Sequence, residues 1–70
     1  MIIARYFLEI IAEEKRCYIP LHGIQRLEIT GNTVEVFCND NPRVLVNNVT
    51  NIDAIVDQMN EAEVPYADSD

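Results

Sequence analysis

Few side chains in this 70-residue chain are suited to chemistry: two cysteines, Cys17 and Cys38, one histidine, His22, and twelve acids. The cysteines lack C-x-x-C spacing, and with no secretory signal in the sequence the pair reads as reduced thiols on inward positions. Two cysteines and one histidine fall short of a structural zinc site, which draws on four such ligands. His22 precedes Gly23 in a turn, five residues from Cys17. A Cys-His pair needs a third group to orient it and donors to hold an oxyanion. With only two glycines in the chain, no phosphate cradle or oxyanion loop can be drawn. The residues therefore predict no catalytic centre, no metal and no cofactor, and the chain reads as a non-enzyme.

Asp53, Asp57 and Glu61 recur at intervals of four, one helical turn apart. Such a row can share a hard cation or form a solvated face, and no Asp-x-Asp-x-Asp-Gly loop is present to favour calcium. It reads as a solvent face or a partner-facing acidic stripe. Asn48-Val49-Thr50 matches an N-glycosylation sequon. Without a secretory route its expected task is to cap a helix.

Charge gives the clearest functional signal. The net charge is −7. Residues 1–46 hold six acids and five bases, whereas residues 47–70 hold six acids and no base. Nucleic-acid binding rests on lysines and arginines that replace phosphate counterions, so a direct nucleic-acid role is not expected. An acidic field of this kind suits a basic protein surface. At 49% apolar and 24% charged the chain reads as globular. Its apolar runs are shorter than the roughly 20 residues of a membrane span. Met-Ile-Ile-Ala-Arg lacks the basic region and apolar block of a signal peptide. The expected location is the cytoplasm, that of the host if the chain is phage-encoded.

The elements that must position these residues centre on 24–38. Two alternating runs flank Gly31-Asn32, where glycine at the first central position supplies the positive φ of a type II′ turn. A tight turn pairs Ile29 with Val34 and Leu27 with Val36 on a dry face. On the other face Glu28 meets Glu35 and Arg26 meets Phe37. Like charges directly opposite repel, so a cation from Arg5, Arg16, Arg43 or Arg26, or from a partner, is expected there.

Residues 2–12 read as a first strand with Ile2, Ala4, Tyr6, Leu8 and Ile10 inward. Residues 16–21 read as a short strand with Cys17, Ile19 and Leu21 on one face, ended by Pro20, which has no ladder donor. Residues 39–42 read as a turn and 43–46 as a last strand. Ile52, Ile55, Val56 and Met59 then follow helical spacing, with Thr50 or Asn51 as N-cap and fraying after Glu61 or Ala62.

These elements predict an α+β fold. It is a small antiparallel sheet of four to five strands, a meander or half-open barrel, with one C-terminal helix packed on its dry face. Residues 1–63 form the domain and residues 64–70 a flexible acidic tail. Ile3, Phe7, Ile11, Tyr18, Phe37 and Leu45 project to the outer face, enough to form a patch.

The function expected is that of a non-catalytic protein-binding protein, an inhibitor or regulator of the phage or mobile-element type. It would occlude a basic surface of its partner, including one where nucleic acid would otherwise bind. Its contact residues would be Glu28, Glu35, Phe37, Phe7, Tyr18, Asp53, Asp57 and Glu61. The alternative is a self-assembly module, a homodimer formed through the outer sheet face.

Overall fold

The computed structural model describes residues 6–39 and 43–69. Ile2, Ile3, Ala4 and Arg5, the turn residues Asp40, Asn41 and Pro42, and Asp70 lie outside the described residues. The fold is α+β, as the sequence predicts, with six strands in two sheets and one helix among the described residues. A two-stranded sheet pairs β1 (Phe7–Ile11) with β2 (Arg16–Pro20). A four-stranded sheet has the order β5-β4-β3-β6 and contains β3 (Ile24–Thr30), β4 (Thr33–Cys38), β5 (Val44–Val46) and β6 (Tyr66–Ser69). A 3₁₀ turn, Leu21–Gly23, joins β2 to β3. The helix α1 covers Ile52–Ala62.

The central hairpin forms in the register that its alternation dictates. Ile29 pairs with Val34, Leu27 with Val36, Glu28 with Glu35 and Arg26 with Phe37. Gly31 sits at φ +59, a left-handed conformation that disfavours any residue with a Cβ. The register shifts between Ile24 and Arg26. This bulge absorbs Gln25, so Ile24 and Leu27 both face inward although three positions apart.

The chain leaves the four-stranded sheet at one edge, β5, and returns at the other, β6. Crossing three strand spacings takes about 14 Å. An 11-residue helix supplies roughly 16 Å. Ile55 and Met59 are fully buried on its inner side. They join Leu8 and Ile10 of β1, Ile24, Leu27 and Ile29 of β3, Val34 and Val36 of β4, Val46 and Val49 in one core. Cys17, Ile19 and Leu21 pack against it half-buried, on the side expected of them.

The helix also closes the outer edge of β1. Asn51 accepts the Ile11 N–H at Oδ1 and donates from Nδ2 to the Glu9 C=O, both at 2.9 Å. Gln58 donates from Nε2 to the Phe7 C=O at 3.0 Å and accepts the Glu9 N–H at Oε1 at 3.4 Å. The Ile11 C=O receives the Thr50 N–H at 2.7 Å. Two carboxamides and one backbone amide thus take the place of a third strand. The same segment bonds the turn of the central hairpin, through Val49 N–H to Asn32 C=O at 2.9 Å. Ala12, just after β1, and Val49, before the helix, form an isolated antiparallel bridge.

Three expectations are corrected. Tyr6 precedes β1 and is 58% exposed, so the inward row of β1 begins at Leu8. Asn51 is the N-cap residue but makes no side-chain cap bond, because its carboxamide is engaged by β1. Thr50 does not cap either; its hydroxyl donates to the Ile11 C=O. Residues 66–69, expected within a flexible tail, form β6, parallel to β3 and registered Leu27 to Tyr66 through Thr30 to Ser69. The helix ends where its left-handed residue, Glu63 at φ 58, turns the chain toward that edge.

The β1 edge yields a prediction. Asn51→Ala leaves a part-buried N–H and C=O without partners and should cost about 1–3 kcal/mol in denaturant unfolding. Gln58→Ala removes the bonds to Phe7 and Glu9 and should also lower the denaturation midpoint. An Asn51→Ala protein with an unchanged denaturation midpoint would show that the carboxamide does not hold the strand.

Candidate functional site

The residues singled out in the sequence fall on two surfaces. The first is the outer face of the four-stranded sheet, where strand alternation projects Glu28, Glu35, Phe37 and Leu45. Glu28 is directly opposite Glu35, and Glu35 is opposite Leu45. The repulsion expected between the two glutamates is relieved within the chain. Arg43, just before β5, bonds Glu35 at 3.0 Å, and Arg26 pairs with Glu28 two positions away on β3. The Arg26 guanidinium also stacks over the Phe37 ring, 4.0 Å from its centroid. Four charges on this face therefore cancel, and only Leu45, 54% exposed, remains a large bare apolar group.

The second surface is the outer face of β1 and β2 together with the helix. Phe7 is paired with Pro20 and Glu9 with Tyr18, so these four side chains share the face opposite to Leu8 and Ile10. Phe7 is 39% and Tyr18 48% exposed, and the Tyr18 hydroxyl donates to Glu9 Oε2 at 3.0 Å. The helix runs beside β1, with Asn51 and Gln58 turned to the strand edge. With successive residues about 100° apart, Asp53, Asp57 and Glu61 project roughly opposite to Ile55 and Met59. All three acids are exposed. Ile55 and Met59 share one core with Leu8 and Ile10, so the acidic row points away from that core, as Phe7 and Tyr18 do. Of the six outward apolar residues expected on one sheet, Ile3 lies outside the described residues and the other five are divided: Phe7, Ile11 and Tyr18 lie on the small sheet, Phe37 and Leu45 on the large one.

The other candidates are dispersed. Cys17 and Cys38 are free and half-buried, Cys17 opposite Ile10 and Cys38 opposite Ile24. His22 is exposed in the 3₁₀ turn and borders an open cleft of about 260 Å³ with Tyr6, Leu21, Ala62 and Val64. That lining holds no carboxylate and no thiol. Among the described residues no three of His, Cys, Asp and Glu are grouped to hold a metal ion, and no helix is long and apolar enough to cross a membrane. In the sequon, Asn48 adopts φ 58 and its C=O accepts the Glu13 N–H at 3.2 Å. Asn48 and Thr50 thus join the helix approach to the end of β1.

Sequence reasoning missed Asn51 and Gln58 as the residues that position this second surface. Their seven-residue spacing, two turns with Ile55 between them, was the available signal: two carboxamides bordering a buried helical face.

The stack on the first surface can be tested. Arg26→Ala removes both the ring contact and the charge beside Glu28, and should lower stability by about 0.5–1 kcal/mol. Raising salt should recover part of that loss by screening Glu28 from Glu35; a loss independent of salt would leave only the ring contact as its cause. Comparison of the chain with protein-family models, with curated proteins and with solved structures finds no match in any of the three.

Proposed function

We propose that this chain is a non-catalytic protein-binding protein, an inhibitor or regulator that covers a basic surface of its partner. The observation that carries this reading is the exposed row Asp53, Asp57 and Glu61 on the helix, in a third of the chain that holds no base; the exposed rings of Phe7 and Tyr18 lie on the small sheet whose edge the helix closes. Charges on the large sheet are paired within the chain and have little field to offer. The helix stripe is not neutralised in this way: among the described residues none of its three carboxylates joins an ion pair. Carboxylates in such a row raise the encounter rate with a basic surface, and the rings supply apolar contact once docked. A partner surface that otherwise holds nucleic acid has the matching charge. The regulator type encoded by phages and mobile elements, acting in the cytoplasm of a host, is the setting that suits a small acidic chain of this kind.

The test is capture from a lysate of the native cell, with wild type and the D53N/D57N/E61Q variant run in parallel at low and high salt. A basic protein held by wild type at low salt, weakened at high salt and lost by the variant is the expected result. The same proteins held equally by both would end the electrostatic reading.

Exposed Leu45, next to the Arg26–Phe37 stack, favours a second reading, a homodimer formed through the large sheet. Under that reading Leu45→Asp should convert a sedimenting dimer to a monomer. A wild-type chain that already sediments as a monomer at high concentration removes it.

A further inference from the structure

A cleft of about 260 Å³ opens where three parts of the chain meet. Tyr6 borders it from just before β1, Leu21 and His22 from the 3₁₀ turn, and Ala62 and Val64 from the end of α1. Leu21 and Val64 are half-buried against the core and so form its floor, whereas Tyr6, His22 and Ala62 are exposed. Pockets that hold drug-sized ligands run to roughly 300–1,000 Å³. This cleft falls below that range and suits one long side chain.

The electrostatics of the cleft are set by the end of the helix. Glu63 and Val64 donate their N–H groups to the C=O of Asn60 at 3.3 Å and of Met59 at 3.0 Å, which closes the last turn. The helical donor in line for the Glu61 C=O is residue 65, a proline without an N–H. Among the described residues no backbone amide answers the C=O of Glu61 or of Ala62. Open carbonyls at a helix C-terminus carry partial negative charge and favour a cation. The last turn holds no base. Glu61 and Glu63, on either side of Ala62, are exposed and join no ion pair among the described residues.

A cation on an apolar stem matches each part of this site. The stem packs on Leu21 and Val64 while the head stays at the helix end, as long basic side chains do. Tyr6 offers a ring face, and its hydroxyl and the neutral imidazole of His22 offer acceptors. A guanidinium fits better than an ammonium, because it is planar and stacks on rings. The chain builds the same combination within itself, where Arg26 lies 4.0 Å from the Phe37 centroid and pairs with Glu28. At the cleft the ring and the acids are present, and no described arginine or lysine lines it.

We infer that the cleft between Tyr6, the 3₁₀ turn and the end of α1 receives an arginine side chain of the partner protein. The inference rests on the reading of the chain as a binder of a basic surface, and it gives that surface an anchor at the C-terminal end of the acidic row.

The test titrates the isotope-labelled full chain with acetyl-Ala-Arg-Ala-amide, reading the backbone amides of Leu21, His22, Ala62 and Val64. Peptides with lysine or leucine in place of arginine are the controls. The arginine peptide should shift all four amides saturably and more tightly than either control. Tyr6→Ala should raise its Kd roughly two- to fivefold. Ala62→Leu, which fills the cleft from an exposed helical position without changing charge, should abolish the shifts at Leu21 and Val64. D53N/D57N should leave the cleft shifts in place. Equal shifts with the leucine peptide would make the cleft a mere apolar pocket and overturn the proposal. So would arginine shifts confined to the helix face, or shifts seen only after Arg5→Gln, which would make the chain's own Arg5 the occupant. Capture from the lysate separates the two readings. Capture lost by D53N/D57N/E61Q and kept in full by A62L would remove the cleft and leave the acidic row standing; peptide bound in the cleft with capture unaffected by the row variant would remove the row and leave the arginine site standing.

Discussion

The contact on which the rest of the molecule depends is the pair of carboxamides that Asn51 and Gln58 present to the edge of β1. A two-stranded hairpin is marginal alone in water, and so is an 11-residue helix. Each is completed by the other here. A primary carboxamide carries a donor and an acceptor in one plane, as a peptide group does, and can therefore meet the C=O and N–H of a strand edge together. Asn51 reaches Glu9 and Ile11, and Gln58 reaches Phe7 and Glu9, so the helix runs antiparallel to β1. Seven residues of helix advance about 10 Å, whereas the two sites on the strand are about 7 Å apart. The longer glutamine side chain spans the mismatch by reaching back along the strand.

This arrangement explains why Asn51 gives up the capping role that its position suggests. A cap satisfies one helix N–H that water can otherwise reach. The N–H of Ile11 and the C=O of Glu9 are part-buried beneath the helix and have no such alternative. The greater desolvation cost lies with the strand, and the carboxamide goes there. Thr50 follows the same logic with its hydroxyl on the Ile11 C=O. Residues 48–51 are thus bonded to β1 and to the hairpin turn at Asn32, which fixes the two sheets around one core.

What was legible in the sequence was what depends on near neighbours. Gly31-Asn32 and the flanking alternation determine the hairpin register, because a slip by one residue would turn Leu27, Ile29, Val34 and Val36 to solvent. The spacing of Ile52, Ile55 and Met59 determines the helix and its buried face. The rest was decided by distant groups. That Arg43 and Arg26, and not a partner, answer the Glu28–Glu35 repulsion depends on how β5 and β3 are placed. β6 is short, polar and preceded by proline, so nothing local marks it as a strand; it forms because β3 has an apolar, otherwise open edge where the helix delivers the chain. The division of the outward apolar residues between two sheets was hidden for the same reason, since the break between β2 and β3 is a 3₁₀ turn that alternation does not distinguish from a hairpin loop.

The location of the acidic row has an energetic consequence that bears on function. Like charges at i, i+4 destabilise a helix, and acids toward its C-terminal end oppose the helix dipole. Asp53, Asp57 and Glu61 incur the first cost, and Glu61 and Glu63 the second. A single lysine at position 57 would convert two repulsions into two attractions, and no base occupies the last turn. On the large sheet the same chain places an arginine beside each glutamate of the facing pair. A fold that neutralises one acidic pair and, among the described residues, leaves another row unpaired on the helix that holds β1 in place retains a destabilising charge where it is exposed to another molecule. Solubility alone does not require that row to sit there, because the same charge spread over both sheets would serve it at lower cost. A basic surface seated against the helix would remove the repulsion and stabilise α1, and through Asn51 and Gln58 it would stabilise β1 as well. Binding of that kind would couple to folding through the same two carboxamides.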